Sequence, residues 1–539
     1  MSDGINTTLE RMAATQNEAA VRVLVPALDS PHRSIRLWAL TSLVKRRSPI
    51  GHREVLRRLH TLDDSFKDLV TNYQGRINQA LRDALLGNDQ QLAANACQAA
   101  LWFREYDLIP TLIAVLENPS GKITPLASRT LLELAELLYG ELASPREDGR
   151  RRDPQILRHR VVADLEQSVT RFAKHKRREI VEAFLLLVNR DNVTLRQILL
   201  EPHHAAFVAL VDTLAKNPAG GVMRLLLNFL DDPHAPSVTI SVVSRRVDLK
   251  FVRHLLNKIQ QELTAAVRQN LKRITALAWL QGDLALVDQF DPQEQRAAVR
   301  LAMTSGLPKL QVFPLIERLL RRGAGDGCRA AAEALDEFQG AEANQRAMEA
   351  LDHEDPQVQA IVLAQIRRRC IPGALSRLVE MIDSPHAVVR QAVRECLSEF
   401  SFKRFLAAFD MLDDEVRRST GMLVNKIDPQ TVPMLETEMA SHLHVRRLRA
   451  LSIARVVEAV PKLEGSIIRL LGDADHLVRT EAAAALSQSS TPASREALER
   501  ALQDRSPSVQ EAARKSLDAR LASPAEDQGT GEEVLGLRS

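Results

Sequence analysis

Residues 378–400, LVEMIDSPHAVVRQAVRECLSEF, read as two amphipathic helices joined by a turn. Before the turn, Leu375, Leu378, Val379 and Ile382 fall at i, i+3, i+4 and i+7. After it, Val389, Val393, Cys396, Leu397 and Phe400 keep helical spacing, so each segment carries one apolar face. The turn is Asp383-Ser-Pro-His. Proline lacks a backbone donor and pre-sets the bend, while Asp and Ser can accept from the free N–H groups that open the next helix. Two short helices that each bury one stripe cannot close a core by themselves, so the unit requires copies on either side.

The copies are present. With the residue aligned to Arg390 as a marker, the chain gives Phe207, Val238, Arg268, Arg296, Arg329, Gln359, Arg390, Arg417, Arg446, Arg479 and Gln510, in steps of 27 to 33 residues. The N-terminal segment Asp29-Ser-Pro-His-Arg-Ser-Ile-Arg36 repeats both the tetrapeptide and the seven-residue step of Asp383 to Arg390. The predicted fold class is all-α, an α-solenoid of about fifteen helical hairpins wound as a right-handed superhelix.

This pattern resembles the HEAT-repeat family, including bacterial variants related to phycobilin-lyase repeats. The resemblance implies a ladder between neighbouring units, made by an Asp ending the first helix and an Arg opening the second. It assigns that role to Asp29 and Arg36, Asp383 and Arg390, Asp410 and Arg417, and Asp473 and Arg479. Glutamine at 359 and 510, and the lack of Asp before Arg329 and Arg446, depart from it.

Composition agrees with stacked helices. Aromatic residues make up 4% of the 539 residues, which disfavours a β-rich fold. The net charge of +3 gives no global electrostatic case for nucleic acid. Cys97, Cys328, Cys370 and Cys396 have no metal or redox spacing and are expected as reduced core thiols, which fits a cytoplasmic location. No signal-peptide pattern and no apolar run of about 18 residues appears, so no membrane span is expected.

Along the chain, residues 1–140 are read as N-terminal repeats and 141–194 as an irregular basic insertion with a longer helical pair. Residues 195–521 are read as C-terminal repeats and 522–539 as a disordered acidic tail. The segment from Glu179 to Val188 is strongly apolar and is expected deep in the stack. Between Arg146 and Arg178 stand eleven Lys and Arg against five Asp and Glu. Arg150, Arg151, Arg152, Lys174, Lys176, Arg177 and Arg178 are therefore the candidate partner-binding residues, for an acidic segment or a phosphate backbone. The plainer alternative is a solvated face, since aromatic stacking residues are not interleaved with the bases.

Catalytic signals are sparse. The turn histidines His32, His203, His204, His234, His386 and His476 recur in repeats about 8–10 Å apart and cannot converge on one ion, and the one adjacent pair, His203 and His204, lacks a third ligand. They are expected to cap or hydrogen-bond their turns, and no metal, cofactor or catalytic residue is assigned. The repeated His-Glu dipeptides of the HEAT-like deoxyhypusine hydroxylases occur only once, at His353-Glu354. Trp38, Trp102 and Trp279 are too scattered to build the pocket of a HEAT-like alkylpurine glycosylase, and are read as core or interface residues. The function expected is a non-catalytic scaffold binding a protein partner on the concave face. The alternatives are a nucleic-acid-binding protein with glycosylase-like activity, and a chromophore lyase or its chaperone. Oligomeric state is left open.

Overall fold

Short amphipathic helices with strong start signals dominate the chain. Pro at the first helical position follows a capping side chain in Ser48, Asp153, Asp291 and Asp355, and Thr491 caps another proline-led helix. Proline costs nothing there because that N–H has no partner within the helix. At Asp291 the reciprocal bond from the Glu294 carboxylate completes a capping box.

The computed structural model describes residues 3–46, 48–61, 75–118, 123–144 and 153–522. Arg150, Arg151 and Arg152, the segment 62–74 and the tail from 523 to 539 lie outside the described residues. All regular secondary structure among the described residues is helical, and the fold is an all-α solenoid of successive hairpins. The chain forms two compact units, residues 1–330 and 331–539.

In the first unit a row of helices packs in series: Gln90–Phe103, Thr124–Ala143, Arg178–Leu187, Gly220–Asn228, Leu249–Gln260 and Pro292–Thr304. Helix Arg178–Leu187 touches neighbours on several sides, including Pro154–Thr170 and Phe207–Lys216. Its residues Ile180, Val181 and Ala183 to Leu187 are all buried, as a helix apolar around its circumference must be. The expected deep position of 179–188 is therefore found.

The marker series loses its phase here. Phe207 and Val238 sit on Phe207–Lys216 and Ser237–Arg245, which pack against each other in the opposite row, whereas Arg296 sits on Pro292–Thr304 in the first row. Both helices of a hairpin carry an apolar stripe, so a step of about thirty residues does not say which helix has been marked.

The second unit is more regular. Its hairpins are Ala341–Ala350 with Pro356–Arg369, Ala374–Glu380 with Ala387–Cys396, and Phe402–Ala408 with Asp414–Ile427. Thr431–Met439 with His444–Val456, Val460–Leu470 with His476–Ala485, and Pro492–Ala501 with Pro507–Ala522 follow. Two first helices end in a 3-10 turn, Met381–Asp383 and Phe409–Met411, which tightens the approach to the loop. The second helices His444–Val456, His476–Ala485 and Pro507–Ala522 pack in sequence. One apolar core runs beneath these repeats from Phe402 to Ala513.

In the hairpin at 375–400, Leu378, Ile382, Val389, Val393, Cys396 and Leu397 are buried as their spacing predicts. Leu375 is the exception, at 49% exposed. Cys97, Cys328 and Cys396 are buried free thiols, while Cys370 is exposed at a helix end with φ 50° and departs from the core reading.

Candidate functional site

The repeat turns are the most ordered polar feature, and their arginines do two jobs. Several of these side chains first close their own turn by donating to the carbonyl six residues before them. Arg36 donates to Ser30 (3.0 Å), Arg390 to Ser384 (2.7 Å), Arg447 to Ser441 (2.7 Å) and Arg479 to Asp473 (2.9 Å). Gln359 and Gln510 make the same bond, to His353 (2.7 Å) and Asp504 (2.6 Å). Glutamine thus keeps the turn-closing half of the role and loses the charge.

The second job is the rung between repeats. Arg447 forks onto Asp473 (2.8 and 3.0 Å) and Arg479 onto Asp504 (both 2.9 Å). Each acid belongs to the repeat that follows its arginine. The expected pairs Asp29 and Arg36, Asp383 and Arg390, Asp410 and Arg417, and Asp473 and Arg479 are therefore not the ion pairs formed. Asp29 is held by Arg58 (2.8 and 3.0 Å), Asp410 by Arg449 (3.0 Å) and Asp473 by Arg447, while Asp383 lies 3.7 Å from Lys426. Arg417 binds the Phe409 and Leu412 carbonyls and Asp414. The marker at Arg446 is also one residue early, since Arg447 fills the role. In the first unit Arg196 reaches Asp232 and the His234 carbonyl, a rung that no marker identified.

Hydrogen bonds from Arg479 hold the Asp504 carboxyl below its ordinary range, outweighing the opposing effect of burial. Bonding to Arg58 likewise lowers Asp29.

Histidine caps are fewer than expected. His32 and His386 occupy N-cap positions without a side-chain cap bond. His204 and His353 accept turn N–H groups through Nδ1, at 3.1 and 2.9 Å. Among the described residues no group of three or more His, Cys, Asp or Glu side chains is placed to hold a metal ion. Trp279 is buried edge-on to Phe290, with ring centroids 5.8 Å apart.

The basic segment is largely engaged with the protein. Arg160 pairs with Asp107 (3.1 Å), Arg171 with Glu117 (2.7 Å) and Arg178 with Asp212 (3.0 Å). Arg177 donates to the Leu116 carbonyl (3.1 Å) and the buried Arg158 to that of Leu187 (2.6 Å). Burial lowers the Arg158 pKa, with nearby Arg224 adding to the effect. Lys174 and Lys176 are exposed and form no ion pair among the described residues.

A different feature of the turns escaped the sequence reading. Large apolar side chains stand exposed on the first turn of successive second helices: Val388 (42%), Val416 (43%), Val445 (63%) and Leu477 (52%). Met411 and Leu443, in the preceding turns, are 89% and 60% exposed. Helical spacing places Val389 and Val478 on the buried face and their predecessors Val388 and Leu477 off it. That offset was the available signal.

Residues 310–398 match the family model for HEAT repeats. That stretch of the chain carries HEAT repeats. No curated protein matches it in sequence. Solved structures similar to it include UNC-45 from Drosophila melanogaster, at 12% identity, covering 95% of this chain and 81% of that one with a TM-score of 0.24. Kap121p bound to RanGTP is similar at 11% identity, covering 90% of this chain and 57% of that one, with a TM-score of 0.24. The chain thus spans little more than half of Kap121p. A homology model of the full-length AP-3 complex is similar at 11% identity and a TM-score of 0.26, covering 95% and 98%. At these scores the likeness decides nothing about partners. Among the described residues no helix is long and apolar enough to cross a membrane.

Proposed function

We propose that this HEAT-repeat protein is a non-catalytic scaffold that binds a protein partner along the turn edge of its second unit. The observation that carries this reading is the exposed apolar row Val416, Val445 and Leu477, extended by Met411 and Leu443. Scattered apolar residues on a surface need no explanation, but a row on the first turns of consecutive second helices is the kind of patch that marks an interaction site. Neighbouring helices pack about 8–10 Å apart, and three residues of extended chain span about 10 Å. The row therefore suits an extended segment with an apolar side chain at every third position, bound by several modest contacts.

The test is affinity purification of the full chain and of a Val416→Asp, Val445→Asp, Leu477→Asp variant, with mass spectrometry. Specific proteins held by the wild type and lost by a variant with unchanged melting would support the proposal. An identical protein set from both would sink it. A nuclease-treated parallel tests the basic segment. Lys174→Glu with Lys176→Glu is expected to leave stability within about 0.5 kcal/mol, because neither side chain is buried or paired. Loss of nuclease-sensitive partners in that variant would instead give the segment a binding role.

A further inference from the structure

We propose that the cleft between helix Ser237–Arg245 and the segment 273–281, which follows helix Ala265–Lys272, binds the phosphoryl group of a small organic phosphate. The cleft has a volume of about 470 Å³ and no Asp or Glu in its lining. That is notable in a chain with 72 basic and 69 acidic residues. Ser237, Ser241 and Ser244 fall at i, i+4 and i+7 and so line one side of their helix. Arg245, Arg273, Thr275 and Gln281 complete the polar wall.

The donors are arranged for an anion. Arg273 is fixed by bonds from one terminal nitrogen to the Ala235 carbonyl and the Asn270 side chain, both 2.9 Å, and from the other to Ser237 Oγ at 3.1 Å. Ser237 accepts that bond, which leaves its own hydroxyl hydrogen to donate. Ser241 Oγ has no partner among the described residues, and exposed Arg245 forms no ion pair there. Two guanidiniums, one held and one able to close, with hydroxyl and amide donors between them, match the oxygens of a phosphoryl group.

The cleft's size and floor say more about the ligand. It would hold roughly fifteen waters, far more room than one inorganic anion fills. Ile240 and Ile274 form an apolar part of the lining, suited to an organic body on the phosphate. The volume lies in the range of small-molecule sites.

The test is calorimetric titration of the full chain at constant ionic strength with phenyl phosphate, inorganic phosphate and phenol. Saturable binding of phenyl phosphate with a Kd of about 1 mM or tighter is expected, with inorganic phosphate weaker and phenol weaker still. Arg245→Glu and Ser241→Asp, each checked for wild-type melting, should each weaken phenyl phosphate by about tenfold or more. No saturable binding, or affinity unchanged in both variants, would overturn the site. Equal affinity for phenyl phosphate and inorganic phosphate would overturn the organic body.

Discussion

Gly221→Ala is expected to destabilise the first unit by about 2–3 kcal/mol and lower its melting temperature by roughly 5–10 °C. A Cβ at Gly221 would sit 2.4 Å from the Leu186 carbonyl oxygen and 3.1 Å from that residue's carbonyl carbon and Cα. These are backbone atoms of the buried helix Arg178–Leu187, which touches neighbours on several sides and has nowhere to retreat. The methyl group must push two helices apart, and the loss of packing exceeds alanine's helix preference. Gly465→Ala is the control. It lies inside Val460–Leu470 with nothing within 4 Å of the new atom, and the same change should stabilise by about 0.5–1 kcal/mol. Thermal melts by circular dichroism would show opposite signs. Two shifts in the same direction would contradict the packing argument.

Arg479→Ala should cost about 2–3 kcal/mol in the second unit. The side chain is 4% exposed and serves the Asp473 and Ala474 carbonyls together with both oxygens of Asp504. Among the described residues its removal leaves the Asp504 carboxylate the Ser506 N–H as its hydrogen-bond donor, and two turn carbonyls without that of Arg479. Lysine cannot reproduce the fork, so Arg479→Lys should recover less than half of the loss. The pH dependence has a definite sign. Because the folded-state pKa of Asp504 is depressed, its contribution is fully present above the ordinary value of 3.8 and is lost as pH falls through the lower folded value. Urea melts across that window should show the wild type losing this increment while Asp504→Asn does not. Parallel curves for the two would remove the rung from the account.

The turn-closing half of the arginine role could have been read from the sequence, because it is local. A marker and the carbonyl six residues earlier belong to one loop, and the Asp-Ser-Pro-His tetrapeptide fixes their separation. A ladder between units was expected, but which acid each arginine meets was not legible, because that partner lies about 25 residues away, across a step between repeats. Asp473 and Arg479 share a turn, yet Arg479 turns forward to Asp504. Phe207 and Val238 were placed in the wrong row for a related reason, since periodicity records amphipathic helices and not which side of the sandwich they occupy. The charge count over 146–178 included Arg158, whose guanidinium is tied to the Leu187 carbonyl. The hydroxyl side of the cleft, Ser237, Ser241 and Ser244, could have been noticed in sequence. Arg273 could not, because it arrives from a separate segment, just past the end of helix Ala265–Lys272.

The rungs also set where the second unit should yield under tension. Arg447 and Arg479 fasten the last three hairpins like successive rivets, each joining one repeat to the next. Among the described residues Arg390 bonds the Ser384 and Pro385 carbonyls of its own turn, and the ion pair across the next seam, Asp383 with Lys426, is exposed and long at 3.7 Å. A pull along the array would therefore part the seam after Ala387–Cys396 before it parts the riveted end, and the apolar row would travel with the stiffer piece.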